Sequence, residues 1–220
     1  MEILDFIREN FDQALFLTWE HIWIVFLSLF IAMITGIPTG IAITRNEALA
    51  KKVLNTANIL MTVPSIAMFG IMLPFLAPMG WGLGKVPAVI ALVLYSELPI
   101  IRNTYIAIKN VDPALVDAGR GLGLTRWNLL KEVEIPLAIP VILAGLRTAA
   151  VMNIGIGAIA AYIGAGGLGV FIQQGIARSY EAMIITGALG VSLLAILVDS
   201  LMALLERALT SQGLKIQGRQ

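Results

Sequence analysis

Charged residues are missing from several long stretches of this chain, and those stretches have the length a membrane requires. Residues 22–44 form a run of 23 positions without a charge, which at ~1.5 Å per residue is enough for one helix across a hydrocarbon layer ~30 Å thick. Trp19 and Trp23 stand at its start, where amphipathic aromatics favour the lipid–water boundary. Residues 53–84 hold 32 more uncharged positions, interrupted by Pro64, Pro74 and Pro78. This pattern predicts a second span over 53–76, bent near Pro64, and a glycine-rich turn over 78–85. A third span is predicted over 86–106, with Glu97, Pro99 and Arg102 in its second half, a fourth over 136–163 containing Arg147, and a fifth over 182–205 containing Asp199. Residues 171–177 are apolar but too few to cross. The expected fold is an all-α membrane protein of about five transmembrane helices.

Ahead of the first span, Ile3, Leu4, Ile7, Phe11, Ala14 and Leu15 recur at three- and four-residue spacings among Glu2, Asp5, Glu9 and Asp12. An amphipathic helix follows over 1–20, either lying on the membrane surface or packed against the bundle. Its acidic residues stand where a cleaved signal carries basic ones, so the segment is expected to stay on the protein. The expected organisation is this N-terminal segment, a transmembrane domain over 21–210 and a cytoplasmic tail over 211–220. With the N-terminus outside, the inner loops hold Arg45, Lys51, Lys52, Lys109, Arg120, Arg126, Lys131, Arg207, Lys215 and Arg219, whereas the outer segments hold Arg8, Lys85 and Arg178. The excess of basic residues inside predicts N-out and C-in, and a multi-pass protein of the inner, cytoplasmic membrane.

Composition narrows the classes of function. Hydrophobic residues are 58% and charged residues 13% of the chain, with a mean hydropathy of +0.88, so much of the surface faces membrane lipid. The net charge of +1 does not suit a nucleic-acid binder. With Cys 0 and His 1, thiol catalysis, Fe–S clusters and clustered zinc ligands are excluded. No catalytic residue, no metal site and no cofactor are expected.

The one sizeable polar piece, residues 109–134, carries the strongest signal. Asp112 before Pro113 reads as a helix start. Gly119, Gly121 and Gly123 read as its stop, and Thr125 reads as the cap of a second short helix over 126–133, with Pro136 opening the fourth span. Leu115, Leu122, Leu124, Trp127, Leu129 and Leu130 make this a protruding apolar knob, which asks for a partner. Asp117-Ala118-Gly119, three residues, Gly123, nine residues, and Val133-Glu134-Ile135-Pro136 resemble the EAA loop of permease subunits of bacterial ABC importers. Asp117 stands there for Glu, Gly119 for the second Ala, Val133 for Ile and Ile135 for Leu.

The resemblance implies that the second short helix couples to a separate ATP-binding subunit. The coupling residues it points to are Asp117, Ala118, Gly119, Gly123, Leu124, Trp127, Leu130, Ile135 and Pro136. The stretches Val63-Pro64-Ser65-Ile66-Ala67, Leu98-Pro99-Ile100-Ile101-Arg102-Asn103-Thr104-Tyr105 and Tyr162-Ile163-Gly164-Ala165-Gly166-Gly167-Leu168-Gly169 are similar to the glycine betaine, carnitine and choline importers of the osmoprotectant class. The five-span core resembles the methionine-importer type. Implied partners are ATP-binding cassette subunits, a second permease chain, the same or similar, and an extracytoplasmic substrate-binding protein. An ABC importer of another small polar solute such as an amino acid is the alternative. A secondary transporter is the rival from another class, and five spans without a visible internal repeat argue against it.

A quaternary ammonium has no N–H to donate, so aromatic faces and a negative field must hold it. Tyr95, Ser96 and Glu97, with Pro64 and Ser65 opposite, are the candidate lining of a path, and a structural pairing of Glu97 with an arginine competes with that role. Gly164–Gly169 fits G-x-G-x-x-G but follows a membrane helix, so helix–loop packing is expected instead of a dinucleotide. Gly84-Lys85 lacks the rest of a phosphate loop. Gly36 and Gly40 are expected at a helix contact, Arg147 and Asp199 in structural ion pairs near the inner surface, and His21 solvated at the interface.

Overall fold

The computed structural model describes residues 2–209, in which ten α-helices are joined by short turns. The expected tail over 211–220, with Lys215 and Arg219, lies outside the described residues. The helices are α1 (Glu2–Glu9), α2 (Phe11–Ile43), α3 (Glu47–Thr62), α4 (Ser65–Leu76), α5 (Lys85–Lys109), α6 (Pro113–Gly121), α7 (Arg126–Leu129), α8 (Ile135–Ile159), α9 (Gly169–Arg178) and α10 (Glu181–Leu209). Four stretches are long and apolar enough to cross a membrane: α2, α5, residues 126–163 and α10. A fifth is present if the bent pair α3 and α4 counts as one span.

Small residues set the packing, because lipid tails are as apolar as leucine and helices associate in them by close approach. A Cβ on Gly40 would come within 2.6 Å of the Thr104 Cβ, and one on Gly36 within 2.8 Å of Ile100. These two contacts advance together along both helices, so α2 and α5 run parallel. Gly145 meets Pro99 and Asn103, while Asn153 donates to the Ser96 hydroxyl at 2.8 Å, so α8 runs antiparallel to α5. One end of the bundle therefore carries Arg8, Lys85 and Arg178. The other carries Arg45, Lys51, Lys52, Lys109, Arg207 and the polar loop with Arg120, Arg126 and Lys131.

Three boundaries differ from the sequence expectation, and the expected bend at Pro64 is sharp. The segment 1–20 is not one surface helix: α1 ends at Glu9 and residues 11–20 belong to α2. Phe6 is buried, its ring edge-on to Phe171 at 5.6 Å and to Tyr180 at 5.4 Å between centroids, so α1 packs on α9 and α10. The bend at Pro64 turns the chain by 102°, because Val63 leaves the helix in an extended conformation, the one its following proline favours. In the polar loop, Gly119 and Gly121 lie within α6, and only Gly123, at φ +81°, follows its end. The second short helix runs into α8 without a break, through one π turn at Leu130–Glu134. Pro136 lacks an N–H and its ring crowds the carbonyl four residues back, which a widened turn relieves.

α9 has ten residues and does not cross, as its length predicts. α10 turns Leu189, Leu193, Ile196, Leu197, Leu201 and Leu204 outward, the face expected toward lipid.

Candidate coupling surface and transport path

The knob is built by local signals. The Asp112 carboxylate accepts from Ala114 N at 2.9 Å and starts α6, and the Thr125 hydroxyl accepts from Asn128 N at 3.3 Å and starts α7. Leu129 and Leu130 turn inward, and Gly119 is buried so close to Leu129 that a Cβ would come within 2.7 Å of its Cδ1. Leu124 and Ile135 are half-buried. The outer face is left to Leu122, 84% exposed, Trp127, 66% exposed, and Leu115. Asp117, Ala118 and Pro136 are exposed as well, and Asp117 accepts from Arg120 at 3.2 Å. Of the nine residues expected to couple, then, Trp127 presents the largest open apolar surface, while Gly119 and Leu130 hold the knob together from beneath. A cleft of about 920 Å³ lies between the knob and the ends of α2 and α5, with Arg45, Lys109, Arg120 and Arg126 on its walls.

The path candidates are drawn to one region but not all to an open surface. Tyr95 is buried, and its hydroxyl donates to the Val63 carbonyl at 2.6 Å, so it stands directly against the Pro64 break. Ser96 is fully buried, donating to the Leu92 carbonyl and accepting from Asn153. Pro64 is exposed, and Ser65 and Glu97 are half-exposed. Glu97 accepts from the Thr35 hydroxyl at 2.6 Å and forms no ion pair with an arginine among the described residues.

The remaining polar groups of the bundle act as ties. Arg147 binds Asp199 through two parallel hydrogen bonds of 2.5 and 2.6 Å, with Glu206 at 3.7 Å, and so joins α8 to α10 as expected. His21 is not solvated but 1% exposed. Its Nε2 bonds the Ile154 carbonyl at 3.0 Å and its Nδ1 accepts from Leu168 N at 3.2 Å, which requires the proton on Nε2. Glu20 binds Lys85 at 2.7 Å and accepts from Gly167 N. The glycine loop thus packs on the start of α2, where any Cβ on Gly166 would collide with Glu20. Sequence reasoning missed the ties of His21 and Glu20 because their partners lie far along the chain, from Lys85 to Ile154, Gly167 and Leu168.

Residues 28–211 match the family described as binding-protein-dependent transport system inner membrane component. The chain belongs to this family. Its relatives include an osmoprotectant import permease protein, OsmW, of Salmonella typhimurium, 48% identical over 98% of this chain and 100% of the relative. They also include a glycine betaine/carnitine/choline transport system permease protein, OpuCB, of Bacillus subtilis, 41% identical over 97% of this chain and 96% of the relative. Among solved structures, an inward facing conformation of the MetNI methionine ABC transporter is similar with a TM-score of 0.79 and 26% identity, over 88% of this chain and 94% of that one. The protein is thus a multi-pass inner-membrane component of a transport system, with the transmembrane fold of ABC permeases.

Proposed function

We propose that this chain is the permease subunit of an ATP-driven importer that moves a quaternary-ammonium osmoprotectant, glycine betaine, carnitine or choline, into the cytoplasm. Two permease chains enclose the path, two ATP-binding subunits seat under the knobs and hydrolyse ATP, and an extracytoplasmic protein delivers the solute. The knob end is the cytoplasmic end, which the excess of basic residues there supports. The MetNI structure that the chain resembles is in an inward facing conformation.

The observation that carries this reading is the continuity of α7 with α8 beneath the exposed Trp127 and Leu122. Closure of the ATPases displaces α7, and α8 follows because no loop intervenes. α8 in turn is tied to α5 by Asn153 and Ser96, to α2 by His21 at Ile154, and to α10 by Arg147 and Asp199. A push at the knob therefore reaches the glycine loop at the far end.

The test is uptake of labelled glycine betaine, choline and methionine by the complex reconstituted with its ATPase and binding protein. ATP-dependent uptake of the first two supports the reading. Uptake of methionine alone transfers the chain to the amino-acid class, and uptake driven by an ion gradient without ATP overturns the importer mechanism.

A further inference from the structure

A helix at membrane depth turns apolar side chains to lipid, because a carboxamide or charge left there is costly. α3 obeys this only in part, with Ile59 and Met61 turned outward beside a polar stripe. Lys51, Asn55, Asn58 and Thr62 recur at spacings of four, three and four, so they lie on one line along the helix, and all four are exposed. Ala50, Val53, Leu54, Ala57 and Leu60 form the other side, which packs into the bundle.

α5 measures the depth of this stripe. Ala50, Val53 and Leu54 pack with Ile101 and Tyr105, while Leu60 and Val63 pack against the cluster that contains Tyr95, whose hydroxyl bonds the Val63 carbonyl. Tyr95 stands ten residues into α5, or about 15 Å at ~1.5 Å per residue, so the stripe climbs from the knob end to the middle of the membrane and stops at the Pro64 break. The Thr62 hydroxyl turns back to the Ile59 carbonyl at 2.7 Å. The side chains of Asn55 and Asn58 bond to no described residue. Arg102, beside Ile101 on α5, is also exposed and forms no ion pair among the described residues.

We propose that Asn55, Asn58 and Thr62 are the wall of a water-filled vestibule that opens at the knob end and ends at the Pro64 break, and that this wall takes the departing solute, a small zwitterion with a quaternary ammonium and a carboxylate. This rests on the osmoprotectant reading above. The carboxamides donate to the carboxylate in place of water, and Lys51 and Arg102 set a positive potential that draws that end toward the cytoplasm. Between Glu47 at the mouth and the break, the stripe carries no acid that would trap the ammonium. Neutral hydrogen-bonding groups hold the solute weakly enough to let it leave.

The absence of native cysteine makes the test direct. Asn55→Cys, Asn58→Cys and Thr62→Cys are made singly, with Ala57→Cys on the packed face and Ile196→Cys on the lipid face as references, in the complex with its ATPase in inside-out vesicles. The probe is 2-(trimethylammonium)ethyl methanethiosulfonate, a water-borne thiol reagent that itself carries a quaternary ammonium. Thiols in water ionise and those in apolar surroundings do not, so the three wall positions should react at least about tenfold faster than the references. Millimolar glycine betaine should slow them, and labelling should block transport. Rates no faster than Ile196→Cys place the stripe in lipid and overturn the proposal. Slow labelling combined with oxidative cross-linking between two permease chains makes the stripe an interface and also overturns it. Should the unmodified complex carry methionine instead of betaine, fast labelling with protection by methionine keeps the vestibule and refutes only the osmoprotectant reading.

Discussion

The hydroxyl of Tyr95 donates to the carbonyl of Val63 at 2.6 Å, where the chain leaves α3 to turn through 102°. Val63 is extended, so its carbonyl has left the helical ladder, and the buried Tyr95 supplies the donor that a helical N–H would otherwise give. The bond fixes the break to α5.

Tyr95→Phe keeps the ring in the cluster of Ile24, Phe69 and Leu92 and removes only the donor. Leaving a fully buried carbonyl unpaired costs roughly 1–3 kcal/mol, and the half-buried Val63 carbonyl less. The variant is expected to show a lower melting temperature in detergent and faster proteolysis between α3 and α4. Melting coincident with the parent protein would mean that the break is held by packing alone.

The knob makes a second prediction, for which two glycines serve as a pair. Neither Gly121 nor Gly123 has an atom within 4 Å of an added Cβ, but Gly123 sits at φ +81°. A β-branched residue there opposes the left-handed backbone by roughly 1–2 kcal/mol and tilts α7 away from its partner. Gly123→Val is expected to lose coupled ATP hydrolysis and transport, whereas Gly121→Ala, within α6, retains both. Equal behaviour of the two variants removes the argument from backbone conformation.

Most of the bundle was legible because membrane spans announce themselves through uncharged runs, and the caps at Asp112 and Thr125 are local chemistry. Two kinds of feature were not. Residues 11–20 are polar enough to read as a surface segment, yet α2 continues through them because Leu17, His21 and Ile24 face protein. Pairings across the fold, His21 with Ile154 and Leu168 or Glu97 with Thr35, leave no trace in spacing along the chain. The stripe on α3 from Asn55 to Thr62 lies inside an uncharged run and so read as part of a span, and its meaning depends on depth, which only the contacts with α5 supply.

Arg147 and Asp199 test the tie between α8 and α10. The two are bound by two hydrogen bonds, and a span can hold a guanidinium facing partly outward only with such a partner. Asp199→Asn leaves the arginine with Glu206 at 3.7 Å and is expected to lower the yield of assembled complex, as is Arg147→Asp. The exchanged pair, Arg147→Asp with Asp199→Arg, should recover part of that yield. Failure of the exchange to recover any would show that geometry, not charge pairing, is what the site requires.

Glu97 separates a role in the path from a role in the frame. It is half-exposed on α5, tied to Thr35 on α2, and close enough to Gly36 that a Cβ there would lie 3.0 Å from its Oε2. Glu97→Gln keeps an oxygen to accept from Thr35 and removes only the charge, while Thr35→Val removes the hydrogen bond and keeps the charge. A unit charge ~8 Å from a cation at an effective dielectric of ~20 contributes on the order of 2 kcal/mol, and water and salt in the path reduce that. If Glu97 guides a cationic headgroup, Glu97→Gln should slow choline several-fold more than glycine betaine, whose own carboxylate offsets the lost field. Thr35→Val should then affect the two solutes equally. If instead Glu97 only braces α2 against α5, Thr35→Val is the more damaging change, and it acts on folded yield. Uptake rates for both solutes, divided by the amount of assembled complex, distinguish these outcomes, and an equal loss of both in Glu97→Gln would remove Glu97 from the path.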